Sequence, residues 1–308
     1  MGMRARPVSS AEVRVAMRQA RTSSRSFGGC FESTLRFGGK SRPRSGELWD
    51  SVGRNERLWR ALVSMSPLAF ARDVLGFQPS EAQAMVLDRA PEFRQIALNC
   101  GRQWGKSTVA AVLAAHRLTM DEGCTVLVVA PSARQSGETL RKVREFLAVM
   151  RMGGKARGDG VNRNSMALPN GSRIVGLPAV DATVRGFSKV SMLIVDEAAR
   201  VPDEVYLALR PSLALADGDV ILLSTPRGKR GFFYRAMTDS EEGWLRHTGD
   251  VSECSRISDE FLKKERARGE GYFRQEYLCE FVETGKYLFD EALISRMIGR
   301  DEDAWPWV

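Results

Sequence analysis

Short apolar runs recur along the chain, and segments with helical spacing separate them. Gln95–Asn99, Thr125–Pro131, the run within Ser191–Ala199 and Asp219–Ser224 read as strands of that kind, and Trp244–Thr248 as a fifth. Runs without polar alternation mark strands buried on both faces. Helices are expected after the first strand to about Thr119, from about Ala133 to Met150, and over about 258–268 and 271–281. Upstream, Leu58, Leu62, Met65, Leu68 and Phe70 give helical spacing across Leu58–Leu75, which Pro67 is expected to break. Pro79-Ser80 has the composition of a helix start. Met166–Pro169 and Arg173–Leu177 flank Asn170-Gly171, which predicts a hairpin with a two-residue turn. Residues 151–160 (RMGGKARGDG) read as a flexible turn region. Strand and helix in alternation predict an α/β fold with a mostly parallel sheet flanked by helices.

The loop after the first strand carries the chemistry. Cys100-Gly101-Arg102-Gln103-Trp104-Gly105-Lys106-Ser107 joins Ile96-Ala97-Leu98 to the apolar helix Val109–Ala115. That is the layout of a phosphate-binding loop, with Cys100 in place of the usual first glycine. Backbone N–H groups from Gly101, Gln103, Trp104 and Gly105 into Lys106, Ser107 and Thr108 would surround phosphates, helped by the positive end of the helix. Lys106 would reach the β and γ phosphates, and the Ser107 hydroxyl would ligate Mg²⁺. Ninety residues on, Leu193-Ile194-Val195 ends in Asp196-Glu197. Ligands sit beyond the C-terminal ends of parallel strands, so Asp196 is placed to hold the hydrated metal and Glu197 to polarise an attacking water. The two motifs, in this order, specify a P-loop NTPase of RecA/ASCE-like type.

Charge changes the picture less than its total implies. The chain of 308 residues carries +8, but residues 1–46 hold ten Lys and Arg against Glu12 and Glu32. Residues 47–308 are therefore neutral, with 36 basic and 36 acidic side chains. The basic excess belongs to a Ser/Gly/Arg-rich leader, read as a solvated tail or a DNA-contacting arm. The remaining expectation is an ATPase domain over 47–283 and a short tail, or truncated linker, over 284–308. No apolar stretch approaches the ~18 residues that span a bilayer, and no signal-peptide core is present, so an intracellular place away from membranes is expected. Five scattered cysteines (Cys30, Cys100, Cys124, Cys254, Cys279) without a CxxC pair predict neither disulfides nor a zinc site, and two histidines leave little for histidine chemistry.

Gln83, the loop CGRQWGKS, LIVDEAA (193–199), STPRG (224–228) and FRQEYLCEF (273–281) together resemble the ATPase domain of the large terminase subunit of tailed bacteriophages. The resemblance runs from about residue 77 to 283. In that family a first loop residue other than glycine is ordinary. It implies that Gln83 reads the adenine edge and that Arg102 acts in cis on the γ-phosphate. It also implies that Ser224, Thr225 and Pro226 couple the γ-phosphate to movement, and that Arg185 reaches a neighbouring subunit's site. ATP and Mg²⁺ are the implied cofactors. The implied partners are double-stranded DNA, the portal protein and a small terminase subunit, in a homo-oligomeric ring on the portal in the host cytoplasm. Large subunits usually continue into an RNase H-like nuclease, whose two metals need several carboxylates on strand ends. Glu283, Asp290, Glu291, Asp301, Glu302 and Asp303 lie in no apolar strand, so this chain is not expected to cut DNA. Two other readings stay open. A superfamily 2-type helicase shares these motifs but needs a second α/β domain, for which the roughly 110 residues after Glu197 are short. A terminase remnant would bind ATP without turnover.

Overall fold

The computed structural model describes residues 66–150, 164–180, 186–240, 242–254 and 257–283. The expectations for the 1–46 leader, the 151–160 turn region, Arg185 and the 284–308 tail lie outside these residues.

The strands are β1 (Gln95–Cys100), β2 (Thr125–Ala130), β3 (Ser165–Ala167), β4 (Arg173–Pro178), β5 (Met192–Asp196), β6 (Asp219–Ser224) and β7 (Trp244–Gly249). They form one sheet in the order β3-β4-β2-β5-β6-β1-β7. Every pairing is parallel except β3 with β4. The helices are α1 (Glu81–Arg89), α2 (Lys106–Met120), α3 (Ala133–Val149), α4 (Asp203–Leu209), α5 (Gly231–Thr238), α6 (Asp259–Arg266) and α7 (Glu270–Glu276).

Because successive side chains on a strand point to opposite faces, each apolar run feeds two cores. Ile96 and Leu98 of β1, Val126 and Val128 of β2, and Ile194 of β5 pack with α1, α2 and α3 on one face. Ala97, Leu127, Val129, Leu193, Val195 and Leu222 pack with α4 and α5 on the other. The strands read as continuous apolar runs because helices cover both faces.

Two local expectations are corrected. Leu168 accepts from the Gly171 N–H at 3.1 Å, and its own N–H donates to the Ser172 carbonyl at 2.8 Å. The hairpin loop therefore has three residues, with Gly171 at φ +80, rather than two. That is a turn followed by one left-handed residue, which glycine adopts at no steric cost. Pro67 opens a helical turn, Pro67–Ala69, capped by Ser66 Oγ, where its missing N–H would be unpaired anyway. The turn runs on as a π-helix, Phe70–Val74, while Leu58, Leu62 and Met65 of the expected helix lie outside the described residues. Helix α7 stops at Glu276 instead of reaching Phe281, and Cys279 turns the chain at φ +56.

Candidate nucleotide site

The C-terminal ends of β1, β5, β6 and β7 lie side by side, and most of the candidate residues stand on them or just beyond them. Strand β6 separates β1 from β5, so the acidic strand lies one strand away from the loop rather than against it. The register still aligns the ends: Asn99 of β1 faces Ser224, and Asp196 of β5 faces Leu223.

The phosphate loop is held from below and from the side. Gly105 caps α2 in the left-handed conformation, φ +91, and a Cβ there would stand 2.6 Å from Gln83 Nε2. Gln83 is buried, and both ends of its amide are engaged. Its Oε1 accepts from Ser80 N–H at 3.0 Å, completing the α1 capping box, and its Nε2 donates to the Trp104 carbonyl at 2.6 Å. In this arrangement Gln83 braces the loop. On the other side the Gly101 N–H donates to the Gly249 carbonyl at 3.0 Å. The Trp104 indole is buried; its Nε1 donates to Glu253 Oε2 at 2.5 Å and its ring lies 5.2 Å from that of His247. Glu253 also meets His247 Nε2 at 3.1 Å. A Cβ on Gly249 would come 2.3 Å from the indole nitrogen. Gly249→Ala is therefore expected to displace Trp104 and cost about 1–3 kcal/mol of stability. A urea midpoint identical to the wild type would contradict that.

Lys106 is 5% exposed, and its Nζ lies 3.8 Å from Glu197 Oε1. Asp196 is buried with both oxygens oriented: Oδ2 accepts from Thr139 Oγ1 at 2.9 Å and Oδ1 from the Glu197 N–H at 3.0 Å. Glu197 itself has φ +54, a left-handed backbone that costs a non-glycine residue roughly 1–2 kcal/mol. The strain is held by the following turn, Ala198–Arg200, whose Ala199 N–H donates to Ser224 Oγ at 3.2 Å. Ser224 and Thr225 are buried, so the proposed coupling strand touches the turn that carries Glu197.

Ser107 and Thr108 are half-buried at the start of α2, and Lys142 of α3 reaches Thr108 Oγ1 at 3.3 Å. Burial pushes the Lys142 ammonium down, against the pull of Asp196. Burial also pushes the Cys100 thiol well up, and that of Cys279 to about 12, so both stay protonated at neutral pH. Arg102 and Gln103 are exposed at the loop tip.

The donor set fits a nucleotide with Mg²⁺. A hydroxyl at a helix N-terminus and an oriented carboxylate are hard oxygen donors, and Mg²⁺ takes few protein ligands besides phosphate and water. Among the described residues no cluster of three His, Cys, Asp or Glu forms a self-sufficient metal cage. No helix among them is long and apolar enough to cross a membrane. Gln83, Gly101–Thr108, Asp196, Glu197 and Ser224–Pro226 thus gather at the C-terminal end of the sheet. Sequence reasoning missed Thr139, Lys142, Arg200 and Glu253, which meet the site through tertiary contact and carry no local motif, whereas Glu276 lies in the quoted FRQEYLCEF run without having been singled out.

Comparison with known proteins agrees. The terminase large subunit of Escherichia phage T5 is 26% identical over 224 residues, covering 70% of this chain and 50% of that protein. That of Thermus virus P23-45 is 27% identical over 256 residues, covering 70% and 51%. The chain thus spans about half the length of these curated relatives. Among solved structures, the ATPase domain of the Thermus phage P74-26 large terminase superposes with a TM-score of 0.60 at 23% identity. It covers 71% of this chain and all of that domain, and confirms the fold. Residues 97–296 match the family model described as terminase large subunit, T4likevirus-type, N-terminal, and this chain belongs to that family.

Proposed function

We propose that this chain is the ATPase of a viral DNA-packaging motor, hydrolysing ATP with Mg²⁺ to drive double-stranded DNA into a procapsid. The observation that carries the reading is the meeting of Lys106, Asp196 and Glu197 at the ends of β1 and β5, on a chain of the terminase family. Lys106 would hold the β and γ phosphates, and Ser107 with Asp196 the Mg²⁺, which offsets charge on the phosphates. Glu197 would orient the attacking water and take its proton at a carboxylate oxygen. Thr139 keeps the Asp196 carboxylate turned for that task. Gln83 would reach the adenine by giving up its bond to Trp104 or Ser80. Arg102 acts in cis and Arg185 in trans. The Ser224–Ala199 hydrogen bond supports coupling, because a change at Glu197 is felt at the end of β6.

The proposed partners are those the family resemblance implies: DNA, a portal protein, a small terminase subunit, and copies of this chain in a ring, in the host cytoplasm. The test is Mg²⁺-dependent ATP hydrolysis at several protein concentrations, with and without linear duplex DNA. Turnover per subunit is expected to rise with concentration and with DNA. Nucleotide binding without turnover under all conditions would overturn the motor in favour of a remnant.

A further inference from the structure

Beyond the end of β6 the chain forms a short basic loop. Arg227, Lys229 and Arg230 are exposed, Arg235 follows on α5, and no acidic residue occurs from 225 to 238. Because residues 47–308 are neutral as a whole, this run is a local excess of positive charge. The loop is braced at both feet. At the near foot Ser224 Oγ accepts from the Ala199 N–H at 3.2 Å, in the turn that follows Glu197, and Thr225 and Pro226 are buried. At the far foot Asp203 of α4 accepts from the Phe232 N–H at 3.0 Å and from Arg235 at 2.7 Å. Left-handed backbone at Gly228 and Gly231 turns the chain twice between these feet. Lys229 faces Glu283 at 3.5 Å, whereas among the described residues no carboxylate pairs with Arg227 or Arg230. Two of the four cations are thus spoken for, and two stand exposed on a fixed loop.

We propose that Arg227 and Arg230 contact the phosphate backbone of double-stranded DNA. This rests on the packaging reading above and names a surface that holds the DNA. Guanidinium forks match phosphate oxygens, and neutralising phosphates releases counterions, so exposed arginines on a protruding loop suit an extended polyanion. The aromatic side chains favour a duplex over a single strand. Single strands are held by stacking their bases on exposed rings. Here Phe232 and Phe233 are buried, and Tyr234 packs edge-on against Phe281 at 5.0 Å, so the loop offers no such platform. Contacts to phosphate carry no sequence information, which suits a motor that must move along DNA of every sequence. The position adds a route for coupling. Three residues separate Ser224 from Arg227, so a shift of the Glu197 turn reaches the DNA contact through one short, braced segment.

The experiment is duplex binding by the full chain across a range of salt concentrations, on two linear DNAs of unrelated sequence. Each phosphate contact contributes ~0.9 to the slope of log K against log salt. Arg227→Gln combined with Arg230→Gln should therefore flatten the slope by about 2 and weaken binding about 10- to 100-fold near 0.1 M salt, equally on both DNAs. Arg141→Gln, which removes an exposed arginine held by Glu138 and Glu145, should leave the slope as it is. Arg227→Lys combined with Arg230→Lys keeps the charge and should restore most of the slope. The thermal midpoint of the glutamine pair should match the wild type, since neither side chain is buried. A wild-type slope in the glutamine pair, a loss no larger than that of Arg141→Gln, or a lysine pair as weak as the glutamine pair would each overturn this role alone. Loss of self-association with an unchanged slope would give the loop to a contact between protein chains instead. A wild type that binds neither DNA at any salt concentration would overturn the packaging reading itself.

Discussion

Glu197→Gln is expected to lower ATP turnover by about 10³-fold, within the range a positioned general base contributes. An amide cannot take the proton of the attacking water, yet it fills the same space. The fold should persist, because the strained φ of +54 and the bond from the Glu197 N–H to Asp196 belong to the backbone. Nucleotide binding should hold or tighten, since Lys106 no longer shares its charge with a carboxylate 3.8 Å away. Single-turnover and binding measurements on the same preparation separate the two effects. A variant that keeps more than a tenth of wild-type turnover would remove Glu197 from the role of base, and the backbone strain at this position would need another explanation.

The sheet was legible because its strands are buried on both faces. Five apolar runs mark five of the seven strands, and the hairpin marks the other two, although its loop is one residue longer than Asn170-Gly171 implies. The order of the strands was not legible, since β6 enters between β1 and β5 by tertiary packing and no local pattern announces it. Helices α4 and α5 went unread for a related reason. At seven and eight residues they show barely two turns of spacing, and their stability comes from the face they bury, Val205 with Leu209 and Phe232 with Phe233. At the site, Lys106, Asp196 and Glu197 are motif residues whose spacing reflects what phosphate and metal demand. Thr139 reaches the same place from a helix face, and a threonine in a helix is ordinary until the fold brings it next to a carboxylate. Glu276 stands in the quoted FRQEYLCEF run, but only the fold shows that it faces Arg102. Gln83 shows the converse. The family resemblance marks the residue as a reader of adenine, whereas its amide is held by Ser80 and Trp104.

Lys106→Met is the second large effect, and it should separate stability from function. Nucleotide affinity is expected to fall by about 10²-fold, the loss of one charge-assisted contact to phosphate worth ~1.5–3 kcal/mol. Thermal stability should stay level or rise. Lys106 is 5% exposed, and the Glu197 carboxylate that faces its ammonium lies beyond hydrogen-bond distance at 3.8 Å, so the cost of burying the charge is incompletely offset. Methionine keeps the length of the side chain without that cost. Glu197 is not stranded by the change, because its side chain is 22% exposed and Arg200 remains 3.5 Å away. Activity sites carry such unpaid charge because the ligand, not the protein, supplies the missing partner. A midpoint that drops by several degrees in Lys106→Met would mean that the lysine is structural, and that the loop is built around the Lys106–Glu197 pair rather than for phosphate.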